Sequence, residues 1–398
     1  MRGVLGSDPV GVAQSLAALA VSSITAVGAG VALASVTGTL EELPGLLVLV
    51  PAAIGMRGNI FGALGSRLST AIHSGLFVLS RRTDGVVGQN VVAALVSSLA
   101  TSAFLAPAAK LVGVVFGLES TISVADLVVV SIVGGLLGSL VVLLVALALA
   151  ALSAARGWDL DNVNAPIVSA VGDLVTLPAL ILGTVLVRRG DVTNTVAVLA
   201  IVATVALVVL VARSELTVAW DVLRESLPVL ALSGVLLSIA GVVIEAQFDE
   251  FASTPALLIL VPAALSSAGA IGGILSSQLA SKLHLGVIEA RPLPESSAWT
   301  DVRVAVTVAV PVFVLNGLLA AVGATLFGLV SPGWATLVAV SFVGGMSATL
   351  VVVAIAYYGT IAAVRAGLDP DNHGIPIVTS AVDLVGAWAL VLAVSALT

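Results

Sequence analysis

The chain has 398 residues, of which 59 % are hydrophobic and only 9 % charged, with a formal net charge of −7 and no cysteine. A soluble domain is about 45–50 % apolar and about 25 % charged, so this chain belongs in lipid, and soluble enzymes, nucleic-acid binders and secreted scaffolds are excluded together. Without cysteine there are no disulfides, thiolate metal sites or cysteine nucleophiles, three histidines leave little room for a zinc centre, and the negative balance argues against a basic surface for nucleic acid or anionic lipid.

The apolar runs are continuous rather than alternating, which indicates membrane helices and not a β-barrel. Their bulk is Ala, Val, Leu and Gly, with 4 % aromatics, a composition suited to closely packed spans. The fold class is an all-α membrane protein. Met1 to Pro9 leads directly into the first span, with no cleavable signal evident. In chain order the predicted spans cover about 9–36, 44–74, 88–117, 123–154, 164–187, 193–212, 222–246, 254–284, 301–329, 333–364 and 374–397, eleven in all. The short connections hold most of the charge, as in Arg81-Arg82-Thr83-Asp84 and Arg188-Arg189-Gly190-Asp191. With the N-terminus cytoplasmic, ten arginines and lysines flank the inner ends of the spans and three the outer ends, which places the C-terminus outside a plasma (inner) membrane. Glu41, Glu42, Glu119, Glu245, Asp249 and Glu250 then collect outside, either as a mouth that concentrates cations or as ordinary loop charge. Only Lys110 and Lys282 among the basic residues are lysine, which reads as a coding bias.

The two halves match. Pro44-Gly-Leu-Leu-Val-Leu-Val-Pro51 recurs as Pro255-Ala-Leu-Leu-Ile-Leu-Val-Pro262, displaced by 211 residues. Val133-Gly134-Gly135 recurs as Val343-Gly344-Gly345, and Pro166 with Asp173 recurs as Pro376 with Asp383, both displaced by 210. This predicts five-helix repeats over 1–190 and 214–398, joined by an extra span at 191–213 that restores parallel orientation. The halves are expected to relate by a pseudo-twofold axis along the membrane normal, around a central pathway. Such a pseudo-dimer lets a monomer suffice.

Asp173 and Asp383 lie about 8 residues into the last helix of each half, about 12 Å deep at 1.5 Å per residue. A carboxylate there is costly and by default marks an ion or proton pathway; the alternative is pairing with an arginine or a helix end. Ser169 and Thr176 share the face of Asp173, and Thr379 and Gly386 that of Asp383. The second and eighth spans carry small stripes, with Gly55, Gly58 and Gly62 mirrored by Ser266, Gly269 and Gly273. Such stripes permit tight packing, and beside a carboxylate they also expose carbonyl oxygens. Gly55, Gly58, Ser169, Thr176, Gly269 and Thr379 are therefore the candidate pore lining. Asn59 reads equally as an oxygen ligand or an interhelical hydrogen-bond partner, and it and Arg57 break the symmetry against Ala270 and Ala268. Arg57 and Arg67 are candidates to neutralise Asp173. Asp159, Asp161, Asp369 and Asp371 precede the last helices as caps and turns, or as acids at an inner mouth. Hard oxygen ligands without sulfur or imidazole suit magnesium, calcium or manganese, and two carboxylates on one pathway suit a divalent cation. No cofactor is called for; the partners expected are the cation and the bilayer, with no nucleic acid.

Gly55-Met56-Arg57-Gly58-Asn59 and Ser66-Arg67-Leu68-Ser69-Thr70 resemble the second helix of the MgtE magnesium channels and of the related animal solute carriers. Asp369-Pro370-Asp371, Pro376, Thr379, Asp383 and Gly386 resemble MgtE's last helix, in which an aspartate coordinates magnesium. The resemblance implies that role for Asp383 and, through the repeat, for Asp173, and it implies divalent-cation transport without enzymatic activity. The duplicated single chain is similar to the animal carriers. The cytoplasmic sensing domains of MgtE have no counterpart here, and Ala268-Gly269-Ala270 lacks the Gly-Asn element, so an asymmetric pore is expected. A sodium-coupled antiporter uses the same fold. An intramembrane aspartyl protease is the remaining alternative, against which stand the missing Tyr-Asp pair and Gly-x-Gly-Asp turn.

Overall fold

The computed structural model describes residues 9–79, 83–118, 121–156, 160–284, 286–365 and 375–398. Lipid offers no partner for main-chain polar groups, so each apolar run satisfies its own as a helix. The long helices are α1 (Pro9–Ala34), α3 (Leu46–His73), α4 (Val86–Val115), α5 (Val124–Arg156), α6 (Leu160–Thr184), α7 (Asp191–Arg213), α8 (Thr217–Glu245), α10 (Leu260–His284), α11 (Ser296–Leu326), α12 (Trp334–Arg365) and α13 (Ile375–Leu397). Among the described residues, eleven helices are long and apolar enough to cross a membrane, and no strand occurs. Two short helices, α2 (Thr37–Glu42) and α9 (Phe248–Ser253), lie in the connections; such short pieces carry no apolar period and lie between the predicted spans. The predicted span 254–284 opens as a 3-10 turn over Pro255–Ile259 before α10.

The chain divides into two compact units, Leu43–Ser238 and the combination of Met1–Glu42 with Ile239–Thr398. In the first, α5 packs against α3, α4 and α6, and α7 lies on α4 and α5. Gly134 and Gly183 allow the close approach of α5 and α6. A Cβ on Gly134 would lie 2.9 Å from Leu180 Cα, and one on Gly183 would lie 3.0 Å from Val130 Cα. Only 17 % of α7 is buried, against 67 % of α3, so most of α7 is left for lipid. The lower part of α8 joins this unit through Ala219 and Leu223, which pack with Ala93, Val96 and Val211.

In the second unit α12 takes the central place, packed on α10, α11 and α13. The Gly-Gly pair serves the same end as in the first unit: Gly344 approaches the main chain of Leu390 on α13, and Gly345 receives the Phe313 ring of α11. Helix α1 packs here, against α10, α11 and the 3-10 turn, where a Cβ on Gly30 would lie 2.6 Å from Ile259 Cα. The spans α1 and α8 hold corresponding places in the two sequence halves, yet each packs largely with helices of the other half. Each lysine fastens its helix to a neighbouring segment, Lys110 to the connection before α5 and Lys282 to α11. Lys110 donates to the carbonyl oxygens of Thr121 and Ile122 (3.0 Å each) and to Thr121 Oγ1. Lys282 bridges Asp301 at 2.7 Å and donates to Ser297 Oγ at 2.9 Å. In the α10–α11 connection, the hydrogen bond from Arg291 to Glu289 raises the guanidinium pKa above its already high value, so it is charged at any working pH.

Candidate functional site

Asp173 is 4 % exposed and lies near the middle of α6. Helix α6 begins at Leu160, earlier than the sequence suggested, so Asp173 sits 13 residues in, about 20 Å along the helix. The added turn has a physical cause. Leu160 and Asn164, four apart on one face, are buried at 1 % and 3 %, and Asn164 Nδ2 donates to Phe61 O of α3 at 3.4 Å. Asp383 is half-buried, 8 residues into α13. In its unit the small face of α10 meets α13 directly: a Cβ on Gly269 would lie 2.8 Å from Asp383 Oδ1, and one on Gly273 3.6 Å from Thr379 Cγ2. Asp383, Thr379, Gly269 and Gly273 therefore form one small, polar strip.

The corresponding pair, α3 and α6, packs in a different register. Gly58, the counterpart of Gly269, meets Ser169 (Oγ at 3.7 Å from a built Cβ), and Gly62, the counterpart of Gly273, meets nothing within 4 Å. Ser169 corresponds to Thr379, so α6 is displaced along α3 by four residues, about 6 Å or one helical turn. The sequence contains the reason. In the second unit Gly386 admits Ala268 Cβ at 3.5 Å, whereas in the first unit these positions are Thr176 and Arg57, which are too large for that approach. Gly172, one turn earlier on α6, takes the place of the missing glycine and packs on Arg57 Cβ at 3.8 Å. The glycine on the last helix decides which turn faces the second, and the matched aspartates conceal this shift.

Gly55 faces Leu237 of α8 rather than α6. Asn59 is half-buried on α3. Thr176 Oγ1 donates to Gly172 O at 2.6 Å and Thr379 Oγ1 to Pro376 O at 3.1 Å, the usual back-bonding of a threonine in a helix. Arg57 is 4 % exposed, and its Nη atoms donate to Ala53 O and, at 2.7 Å, to Gly134 O. Arg67 Nε donates to Asn90 Oδ1 at 2.8 Å and has Glu225 as its nearby acid. Of the acids expected at an inner mouth, Asp159, Asp369 and Asp371 lie outside the described residues, as does the side chain of Asp161, whose main chain is in the first turn of α6. Of the acids expected at an outer mouth, Glu41 and Glu42 lie in α2 and Asp249 and Glu250 in α9, all in one unit; Glu119 lies outside the described residues. Among the described residues no group of three or more His, Asp or Glu side chains is placed to hold a metal ion.

Eleven apolar helices among the described residues define a polytopic α-helical membrane protein. The chain belongs to the MgtE family of divalent cation transporters, whose sequence pattern it matches over residues 50–183 and again over 261–393. It therefore stands among transporters and not among enzymes. It is similar to solute carrier family 41 member 3 of Mus musculus, at 25 % identity in an alignment that covers 88 % of this chain and 75 % of the mouse protein. It is also similar to the same carrier of Rattus norvegicus, at 24 % identity over 88 % of this chain and 79 % of the rat protein. No solved structure matches it significantly.

Proposed function

We propose that the chain carries magnesium, or a hard divalent cation of similar chemistry, and that Asp173 and Asp383 are its ligands. The observation that supports this best is Asp383, a mid-span carboxylate set against the glycine wall of Gly269 and Gly273. A carboxylate within an apolar span by default marks an ion or proton pathway, and the glycines leave main-chain oxygens within reach of one. Oxygen donors favour magnesium, calcium or manganese over zinc or copper. Magnesium gives up water reluctantly and is commonly held through one or two carboxylates with water retained, which suits a single aspartate in each unit. The sequence repeat is the reason for assigning both aspartates to one route, in a monomer of the plasma (inner) membrane with its N-terminus inside.

The test is magnesium flux into liposomes holding the purified protein, with and without a sodium gradient. Asp383→Asn and Asp173→Asn should each lower flux by more than the roughly 10–100-fold lost when only a ligand's supporting partner is removed, with thermal unfolding unchanged. Wild-type flux in both variants would overturn the ligand assignment, and loss in one alone would confine the site to that unit. Flux that follows the sodium gradient would make the protein an exchanger. Absence of divalent flux under both conditions would refute the proposed substrate.

A further inference from the structure

The unit Leu43–Ser238 contains a polar cavity between α3, α4 and α5, apart from the aspartate strip. Arg57, Ser98, Thr101, Ser102 and Ser131 line it together with apolar side chains, and no carboxylate does. Its free volume is about 10 Å³, room for a single small guest and far below the roughly 300–1,000 Å³ of pockets that take organic ligands. Both Nη atoms of Arg57 are spent on main-chain carbonyls, but Nε is buried without a partner. Ser98 Oγ and Ser139 Oγ lie 2.5 Å apart, a pairing that uses one hydroxyl proton and leaves the other. Ser131 donates to Ser102 O at 2.7 Å.

The corresponding place in the other unit is filled differently. Ser341 donates to Phe313 O at 2.7 Å, as Ser131 does to Ser102 O, so Ser102 corresponds to Phe313. On the same offset Ser98 corresponds to Ala309, Thr101 to Val312 and Arg57 to Ala268. Ala309, Val312 and Phe313 are packed apolar core there, with the Phe313 ring closed on Gly345. One unit thus closes this space with the Phe313 ring and with Asn316 and Ser267, which bond to each other at 2.8 Å in the places of Leu105 and Met56, while the other lines it with hydroxyls and a guanidinium. Among the described residues the Arg57 guanidinium donates to carbonyl dipoles, a costly setting for a buried cation, and the unspent donors, Arg57 Nε–H and serine hydroxyls, suit an acceptor. We propose that the cavity is a binding site for a small inorganic anion, chloride in the first instance.

Thermal unfolding of the purified protein in potassium chloride and in potassium gluconate at equal ionic strength tests this. Chloride should raise the wild-type midpoint by about 2–4 °C; Arg57→Gln should abolish the difference, and Arg57→Lys should keep part of it. The double variant Arg57→Ala with Ser102→Phe rebuilds the apolar packing of the other unit and guards against a misfolded single variant. It should unfold cooperatively and show no chloride effect. Equal midpoints in the two salts for wild type would mean that only water enters the cavity. An undiminished chloride effect in Arg57→Gln or in the double variant would place the anion elsewhere. Either result overturns the proposal and leaves the cation reading untouched.

Discussion

Gly269 and Gly58 occupy matching positions and predict opposite outcomes. A methyl group on Gly269 would meet Asp383 Oδ1 at 2.8 Å, closer than the carboxylate tolerates, while one on Gly58 would meet only Ser169 Oγ at ordinary contact distance. The obstructed atom is the end of a rotatable side chain, so Gly269→Ala should displace the carboxylate without unfolding the helix pair. We expect Gly269→Ala to weaken the apparent affinity for magnesium by roughly tenfold, the order of one charged contact, and Gly58→Ala to leave it within about twofold. Concentration-dependent liposome flux, with unfolding midpoints as the control, checks both. The aspartates themselves were legible in the sequence because a carboxylate stands out in an apolar helix. The lysines were not: their role as clasps depends on where Thr121 and Asp301 fall after folding, and no local pattern announces that.

The one-turn offset between α3–α6 and α10–α13 makes a prediction that the absence of native cysteine renders easy to check. The pair Gly273→Cys with Thr379→Cys should form a disulfide under mild oxidation. Its counterpart Gly62→Cys with Ser169→Cys should not, whereas Gly58→Cys with Ser169→Cys should, because disulfides demand Cα atoms about 4.4–6.8 Å apart. Mass spectrometry of the oxidised protein reads the result, and efficient crosslinking of the 62/169 pair would refute the offset. The eleven spans were legible because run length alone reports them. The register was written in a subtler place, the shift from Gly386 to Gly172, and aligning the repeats on Asp173 and Asp383 passes over it. The earlier start of α6 was hidden similarly, since Asp161 and Asn162 break the apolar run ahead of the predicted span, yet Leu160 is buried at 1 %.

For the molecule as a whole, the exchange of α1 and α8 predicts which pieces are stable. Residues 43–238 should express as a folded unit, whereas 1–213 should not, since it carries α1 without α10 and α11 and lacks α8. Protease resistance of each piece in membranes decides the matter, and an equally resistant 1–213 would count against the division. Nothing local specifies this exchange; it is settled by which faces fit, such as Gly30 on Ile259. The same exchange has a consequence for synthesis. Helix α1 leaves the ribosome long before the 3-10 turn at Pro255 on which it rests. At about 5–20 residues per second, the wait is roughly 10–40 s. Throughout it, the face bearing Ser22, Ser23 and Gly30 has only lipid or an insertion factor to lean on. The nascent first span must therefore be a guest in the membrane, held in reserve while an entire neighbouring unit assembles ahead of it.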